Sequence, residues 1–186
     1  MKFLPTKFDT AWLIEPERHE DERGFFARTW CQREFENHGL NPDLVQCSVS
    51  FNSSQGTLRG MHFQTAPFEE AKLVRCTQGR IFDVIVDVRP ESDTFGVWQG
   101  FELSAAARNS LYIPEGFAHG FQTLEPTSEV LYQMSEFFHP EAAMAFHHAD
   151  HDVAIDWPLP VEVISDRDAE LPPLRTVVLP VRQEAA

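Results

Sequence analysis

The chain has 186 residues, with 29 acidic against 15 basic side chains and a formal charge of -14 at pH 7. That balance argues against nucleic acid and anionic membrane as partners, because a binder of either normally carries a basic face; any phosphate must meet a local cluster of Arg and Lys. The length fits one domain over residues 1–186, and frequent Pro, Phe as the dominant aromatic and few helical apolar runs predict a mostly β fold.

In chain order, the N-terminal MKFLPTKFDTAWLIEPERHEDERG places Pro and charge where an export signal needs an apolar core. No run approaches membrane-spanning length, so the expected location is the cytoplasm. Residues 8–15 mix apolar and polar side chains as a strand does, EPERHEDERG reads as a loop, and GFFARTW (24–30) resumes as an aromatic strand. CQREFENHG (31–39) has the length and closing Gly of a short helix. LVQCSVSFN (44–52) alternates, carrying Gln46, Ser48 and Ser50 on one face, which either lines a pocket or meets solvent.

The next two strands, KLVRCT and RIFDVIVDVR, flank Gln78-Gly79 and read as a hairpin. A two-residue loop pairs Thr77 with Arg80, Cys76 with Ile81 and Val74 with Asp83, which sets Lys72 diagonal to Asp83 for an ion pair. Phe82, Val84, Val86 and Val88 form an apolar row on the opposite face, so the strand is covered on both sides, as in a sandwich or barrel. VWQGFELS, SLYIP, GFQTLE and EVLYQMSEFF follow at antiparallel-sandwich spacing. The Pro-rich segment after Asp152 is expected to pack across the barrel before the terminal VRQEAA frays. Cys31, Cys47 and Cys76, an odd count without CxxC spacing, read as reduced thiols.

GTLRGMHFQTAPFEEAK (56–72) sets Arg59, His62 and Lys72 among apolar β-formers and suggests an anion site. Strict alternation from Thr57 to Gln64 points Gly60, His62 and Gln64 one way and Arg59, Met61 and Phe63 the other. A second histidine segment, YIPEGFAHGF (112–121), stands in support. HHADHD, with His147, His148 and His151, lacks the strand or helix pattern that aims rings at one ion.

LRGMHFQ (58–64), Lys72, FDVIVDVR, YIPEGFAHGF, the LY at 131–132, HPEA (139–142) and IDWP (155–158) together resemble the dTDP-4-dehydrorhamnose 3,5-epimerases, from about Asp21 to Asp168. PEGFAH alone is only a cupin-like signature; LRGMHFQ and IPEGFAHGF in this order are specific. The resemblance implies an all-β, cupin-like jelly-roll barrel with short peripheral helices. It also implies a homodimer that exchanges N-terminal strands, and epimerisation of a nucleotide-diphosphate-linked 4-keto-6-deoxy sugar with no cofactor and no metal.

The chemistry itself demands a base, an oxyanion stabiliser and an acid on the opposite face, because a C4 ketone acidifies the C3 and C5 hydrogens only if the enolate is held. His62 is the candidate base, since imidazole titrates near neutral pH. By resemblance Asp168 orients it, with Asp83 the rival from the strand argument. By the same resemblance Lys72 meets the oxyanion and Tyr132 is the acid, whereas composition alone makes Tyr132 a core residue beside Val130 and Met134. The family match further assigns Arg59 and His119 to diphosphate or sugar contacts. It places Arg23 and Phe26 where the partner subunit reaches the nucleotide, and Gln46, Ser48, Phe138 and Arg167 around the substrate.

Five positions depart from the family pattern, all at the nucleotide end: Arg28 for a Glu, Ser48 for an Asn, Phe138 for a Tyr, Ala143 for a Glu and Arg167 for a Lys. They spare the acid and base and leave the nucleobase and sugar open. Two other readings carry different consequences. A metal-dependent cupin oxygenase would ligate its ion through His62 and His119, yet the usual second His two positions after His62 is Gln64. A non-catalytic sugar-nucleotide module would not need the set His62, Lys72 and Tyr132.

Overall fold

Two-sided burial along most strands is met by two facing sheets with an outer coat on each, in a computed structural model that describes residues 1–177. The elements run β1 (Lys2–Pro5), β2 (Trp12–Glu15), β3 (Arg18–Asp21), β4 (Gly24–Ala27), α1 (Gln32–Asn37), β5 (Gln46–Asn52), β6 (Leu58–Gln64) and β7 (Lys72–Gln78). They continue with β8 (Arg80–Asp87), β9 (Trp98–Ser104), β10 (Ser110–Ile113), β11 (Phe117–Thr123), β12 (Ser128–Met134), β13 (Ala143–Ala145) and α2 (Asp166–Ala169), before a single 3₁₀ turn at Leu174–Thr176. A six-stranded sheet has the order β1-β2-β10-β7-β12-β5 and a five-stranded one β13-β6-β11-β8-β9, while among the described residues β3 and β4 pair only with each other. The all-β, jelly-roll expectation holds, and both α-helices lie at the periphery.

Between the sheets lies a core of Val74, Cys76, Ile81, Ile85, Leu103, Leu111, Ile113, Phe121 and Val130. Each such side chain taken from water contributes roughly 1.5–3 kcal/mol. The outer face of the five-stranded sheet buries Met61, Phe63, Val84 and Val86 under Phe146, Val153 and Leu174, with Trp157 packed alongside. The segment after Asp152 therefore packs across the sheet as expected; the terminal VRQEAA lies outside the described residues. On the outer face of the other sheet, α1 lays Phe35 against Ile14, Leu73 and Tyr112. The helix stops where Gly39 takes a positive φ of 69°.

The expected hairpin at Gln78-Gly79 does not form. Strand β7 pairs with β10 and β12, whereas β8 pairs with β11 and β9. Gly79, at φ +73°, is a corner that carries the chain from one sheet to the other, and an added Cβ there would lie 2.5 Å from the Ser128 Oγ. Inward-facing Val74 and Cys76 of β7 and Ile81 and Ile85 of β8 meet across the sandwich in one core. Both strands need lateral neighbours and two covered faces, which pairing with each other does not supply. The loop expected over EPERHEDERG is also partly strand, since Arg18 to Asp21 ladder onto Ala27 to Gly24. Among the described residues no helix is long and apolar enough to cross a membrane.

Candidate active site

Strand β6 does not alternate simply. It pairs His62 with His119 but Arg59 with Phe121, so two residues of β6, Gly60 and Met61, oppose the single Gly120 of β11 and the strand bulges there. Gly60 sits at φ +144°, and a Cβ there would lie 2.7 Å from the Gly120 Cα, so these backbones touch only because both residues are Gly. The bulge turns Arg59 onto the same inner face as His62, while Met61 and Phe63 stay buried outside. This corrects the alternation that placed Arg59 with Met61 and Phe63.

A cavity of about 290 Å³ opens between the sheets, lined by Arg59, His62 and His119 on one wall and Ser48, Ser50, Lys72 and Tyr132 on the other, with Asp168 beside them. That volume is near the lower end for small-molecule sites. The polar face of β5 thus lines a pocket through Ser48 and Ser50.

Two histidines line this cavity, each bonded to a carboxylate. The His62 Nε2 lies 2.8 Å from the Asp168 Oδ1, and the Gly60 N–H donates to the second oxygen of Asp168 at 3.4 Å. Burial works against the Asp168 charge, but the His62 bond and charge, the Gly60 N–H and Arg167 outweigh it, and the carboxyl is held below its usual range. A carboxylate accepts, so Nε2 donates, which in the neutral ring leaves the lone pair on Nδ1; the His62 side chain is 45% exposed. His119 bonds Asp83 in the same way at 2.7 Å, but Asp83 is fully buried. Its second oxygen has no partner among the described residues. Desolvation raises the Asp83 carboxyl, against the opposing influence of His119 and Lys72. The carboxylate partner of His62 is therefore Asp168, and the rival Asp83 belongs to His119.

On the facing wall Tyr132 lies opposite Ser48 and Val74 in the ladder and meets the His119 ring edge-on at 5.8 Å. Burial first, then the Asp83 charge, push its phenol far up, so it stays protonated. Lys72 is buried, and its ammonium pairs with Glu70 at 2.9 Å; the expected Lys72–Asp83 ion pair gives way to this contact because the two strands are not neighbours. Arg59 donates from Nε to the Asn52 Oδ1 at 2.8 Å. Glu70 and Asn52 were not singled out from sequence; Asn52 continues the polar row of β5 two residues beyond Ser50, and that was its one visible signal.

Other expected substrate contacts are not among the residues that line this cavity in the single chain. Arg23 is almost fully exposed and pairs with Asp21, and Phe26 is 77% exposed on the β3–β4 ribbon. Gln46 accepts the Phe138 N–H at 3.2 Å, and the Phe138 ring is exposed. Arg167 is exposed on α2. Among the departures, Arg28 pairs with Glu34, and Ala143 lies opposite Gln64. Among the described residues no three His, Cys, Asp or Glu side chains are grouped to hold a metal ion; His147 and His148 contact each other, rings 4.4 Å apart.

A cupin-like jelly roll whose cavity sets a carboxylate-held imidazole opposite a protonated tyrosine carries the groups that a proton-transfer reaction uses. The family model for dTDP-4-dehydrorhamnose 3,5-epimerase matches residues 5–176. A dTDP-4-dehydrorhamnose 3,5-epimerase from Methanothermobacter thermautotrophicus is 44% identical over 177 residues, 94% of this chain and 95% of that protein. The crystal structure of the Elizabethkingia anophelis NUHP1 enzyme of the same name has a TM-score of 0.91 and 40% identity, covering 94% of this chain and 97% of that one. The Legionella pneumophila Philadelphia 1 dTDP-6-deoxy-D-glucose-3,5-epimerase, solved with dTDP-4-keto-L-rhamnose, has a TM-score of 0.90 and 37% identity over 98% of both chains. The chain belongs to the dTDP-4-dehydrorhamnose 3,5-epimerase family, and is an isomerase of the epimerase class.

Proposed function

We propose that this chain inverts C3, C5 or both in a nucleotide-diphosphate-linked 4-keto-6-deoxy sugar. The observation that carries the reading is the placement of His62 and Tyr132 on opposite walls of one cavity. Nδ1 of His62 takes the proton from the carbon beside the ketone, and the C–H electrons move to the C4 oxygen as an enolate. Lys72 stabilises that oxygen, its charge fixed near the cavity by Glu70. The Tyr132 hydroxyl then protonates the carbon from the other face, and exchange with solvent restores both groups. Asp168 holds the His62 tautomer and balances the imidazolium.

Arg59, His119 and Ser48 serve as substrate contacts from the cavity walls, Gln46, Phe138 and Arg167 from its rim. Arg23 and Phe26 reach a neighbouring site in a homodimer that exchanges its N-terminal strands. In support, among the described residues β3 and β4 pair with no other strand; β5 is there the edge of the six-stranded sheet and exposes Val49 and Phe51. The protein acts as one domain over residues 1–186, without a cofactor, in the cytoplasm, where its three free cysteines stay reduced.

Incubating the protein with nucleotide 4-keto sugars in deuterium oxide tests the reading. Because the departures lie at the nucleotide end and spare the acid and base, deuterium is expected at both C3 and C5, read by mass spectrometry and proton NMR. Label at C3 alone restricts the enzyme to one centre, and no label with any such sugar overturns the epimerase assignment.

A further inference from the structure

The two histidine–aspartate pairs share one bonding pattern but not one environment, and the difference decides where their protons sit. Asp168 is a supported carboxylate, with the Gly60 N–H on its second oxygen and Arg167 nearby. Asp83 is wholly buried, and its second oxygen faces no donor among the described residues. Among the described residues, the hydrogen bond that reaches its side chain comes from the His119 ring. Lys72 acts on Asp83 only through space, its ammonium being bonded to Glu70.

A neutral His119 donating Nε2–H to an ionised Asp83 leaves a full negative charge buried with half its acceptor capacity unused, which is costly in a low-dielectric interior. One more proton on the pair removes that charge. It resides on Asp83 as a carboxylic acid donating to Nε2, or on His119 as an imidazolium beside the carboxylate. Either arrangement puts a hydrogen on Nδ1, the ring's other polar atom. His119 lines the cavity, as do Arg59 and His62 on its own sheet and Lys72 and Tyr132 opposite.

We infer that the Asp83–His119 pair carries this additional proton, so that His119 presents an Nδ1–H donor to a substrate oxygen while His62, with the same Nε2 bond to Asp168, presents a lone pair. Asp83 is on this view a positioning residue: it does not touch substrate but sets which form of His119 the substrate meets. Cross-strand partners in adjacent β6 and β11 then perform opposite tasks, one removing a proton and the other stabilising oxygen charge. The donor role rests on the epimerase reading above; the proton inventory does not.

The test reads the two separately. In the substrate-free protein labelled with ¹⁵N-histidine, with His119 assigned by its loss in His119→Gln, the Nδ1 resonance at pH 7.5 is expected to be of the hydrogen-bearing, pyrrole type. A bare, pyridine-type Nδ1 overturns the inference whether or not the chain is an epimerase. Asp83→Asn, whose amide N–H donates to Nε2 as a carboxylic acid does, is expected to keep the pyrrole-type Nδ1 and to lower kcat/KM less than tenfold. Asp83→Ala removes the partner and is expected to lower it about 10²-fold, the loss typical of one oxyanion donor. If Asp83→Asn, folded by circular dichroism, loses as much as Asp83→Ala, or its Nδ1 turns bare, the inference fails.

Discussion

The two walls of the cavity are built on different principles. On the five-stranded sheet, Arg59, His62 and His119 are each fixed by a polar partner: Asn52, Asp168 and Asp83. On the six-stranded sheet, the half-buried Tyr132 packs against the apolar core between the sheets, and desolvation pushes its phenol, already protonated at neutral pH, further up. Directed hydrogen bonds fix tautomer and ring orientation on the first wall; apolar packing holds the phenol in place on the second, where desolvation makes it a still weaker acid. An inversion at carbon needs both, a base whose lone pair is aimed and an acid that holds its proton until the enolate forms.

Removing one member from each wall breaks this division differently. His62→Asn is expected to lower hydrogen exchange into substrate by about 10³-fold or more, near the upper part of what a positioned base contributes, with nucleotide binding nearly intact by calorimetry. Exchange at the wild-type rate would remove His62 from the reaction. Tyr132→Phe deletes the acid but leaves the base wall whole. Exchange through His62 should continue while inversion falls by about 10²-fold or more, because the enolate collapses back onto the face it came from. Inversion that survives in Tyr132→Phe reassigns the acid without touching the base.

Lys72→Ala sharpens the comparison, since Lys72 is, among the described residues, the cation that lines the second wall, and it is held by an ion pair. A fall in kcat of about 10²-fold is expected, with a several-fold rise in KM, because one ammonium meets both ground-state ketone and developing oxyanion. Steady-state kinetics with both parameters unchanged would exclude Lys72. A several-fold rise in KM alone is expected for Asn52→Ala, which frees the Arg59 guanidinium from its one fixed bond; a change in kcat instead would place Arg59 closer to the reacting carbon.

The period-2 pattern of the strands made His62, Lys72 and the Ser48–Ser50 face legible, and the family motifs added Asp168 and Tyr132; all meet at one cavity. Lateral neighbours were not legible. The Gly79 corner has the same local signal as a hairpin, and only non-local pairing of β7 with β10 and β12 separates the two. That error carried Lys72 to Asp83 and hid Glu70. The bulge at Gly60 was hidden for a related reason: LRGMHFQ reads as unbroken alternation until Gly120 on the next strand comes against it. Asp168, 106 residues from His62, has no local pattern to mark it, since its burial is created by the fold.

The smallest expected effect is on stability, and it separates the two carboxylates without substrate. In Asp168 the folded carboxyl is held below its ordinary value, where burial is outweighed by the His62 bond and charge and by the Gly60 N–H. A depressed carboxyl stabilises the fold at pH above its unfolded value, about 3.9 for Asp, and that contribution is lost as pH falls through the folded value. The difference in melting temperature between wild type and Asp168→Asn should therefore hold constant above about pH 5 and shrink as pH drops toward 3. In Asp83 the folded carboxyl is raised, burial outweighing His119 and Lys72, so the sign reverses: its folded state binds a proton more tightly than the unfolded chain, and its effect on stability is most favourable at acid pH. Wild type should gain relative to Asp83→Asn as pH falls, measured on the same melting curves. Parallel behaviour of the two variants would mean that the pairs hold the same proton load, and would remove the contrast between the base-bearing and donor-bearing histidines.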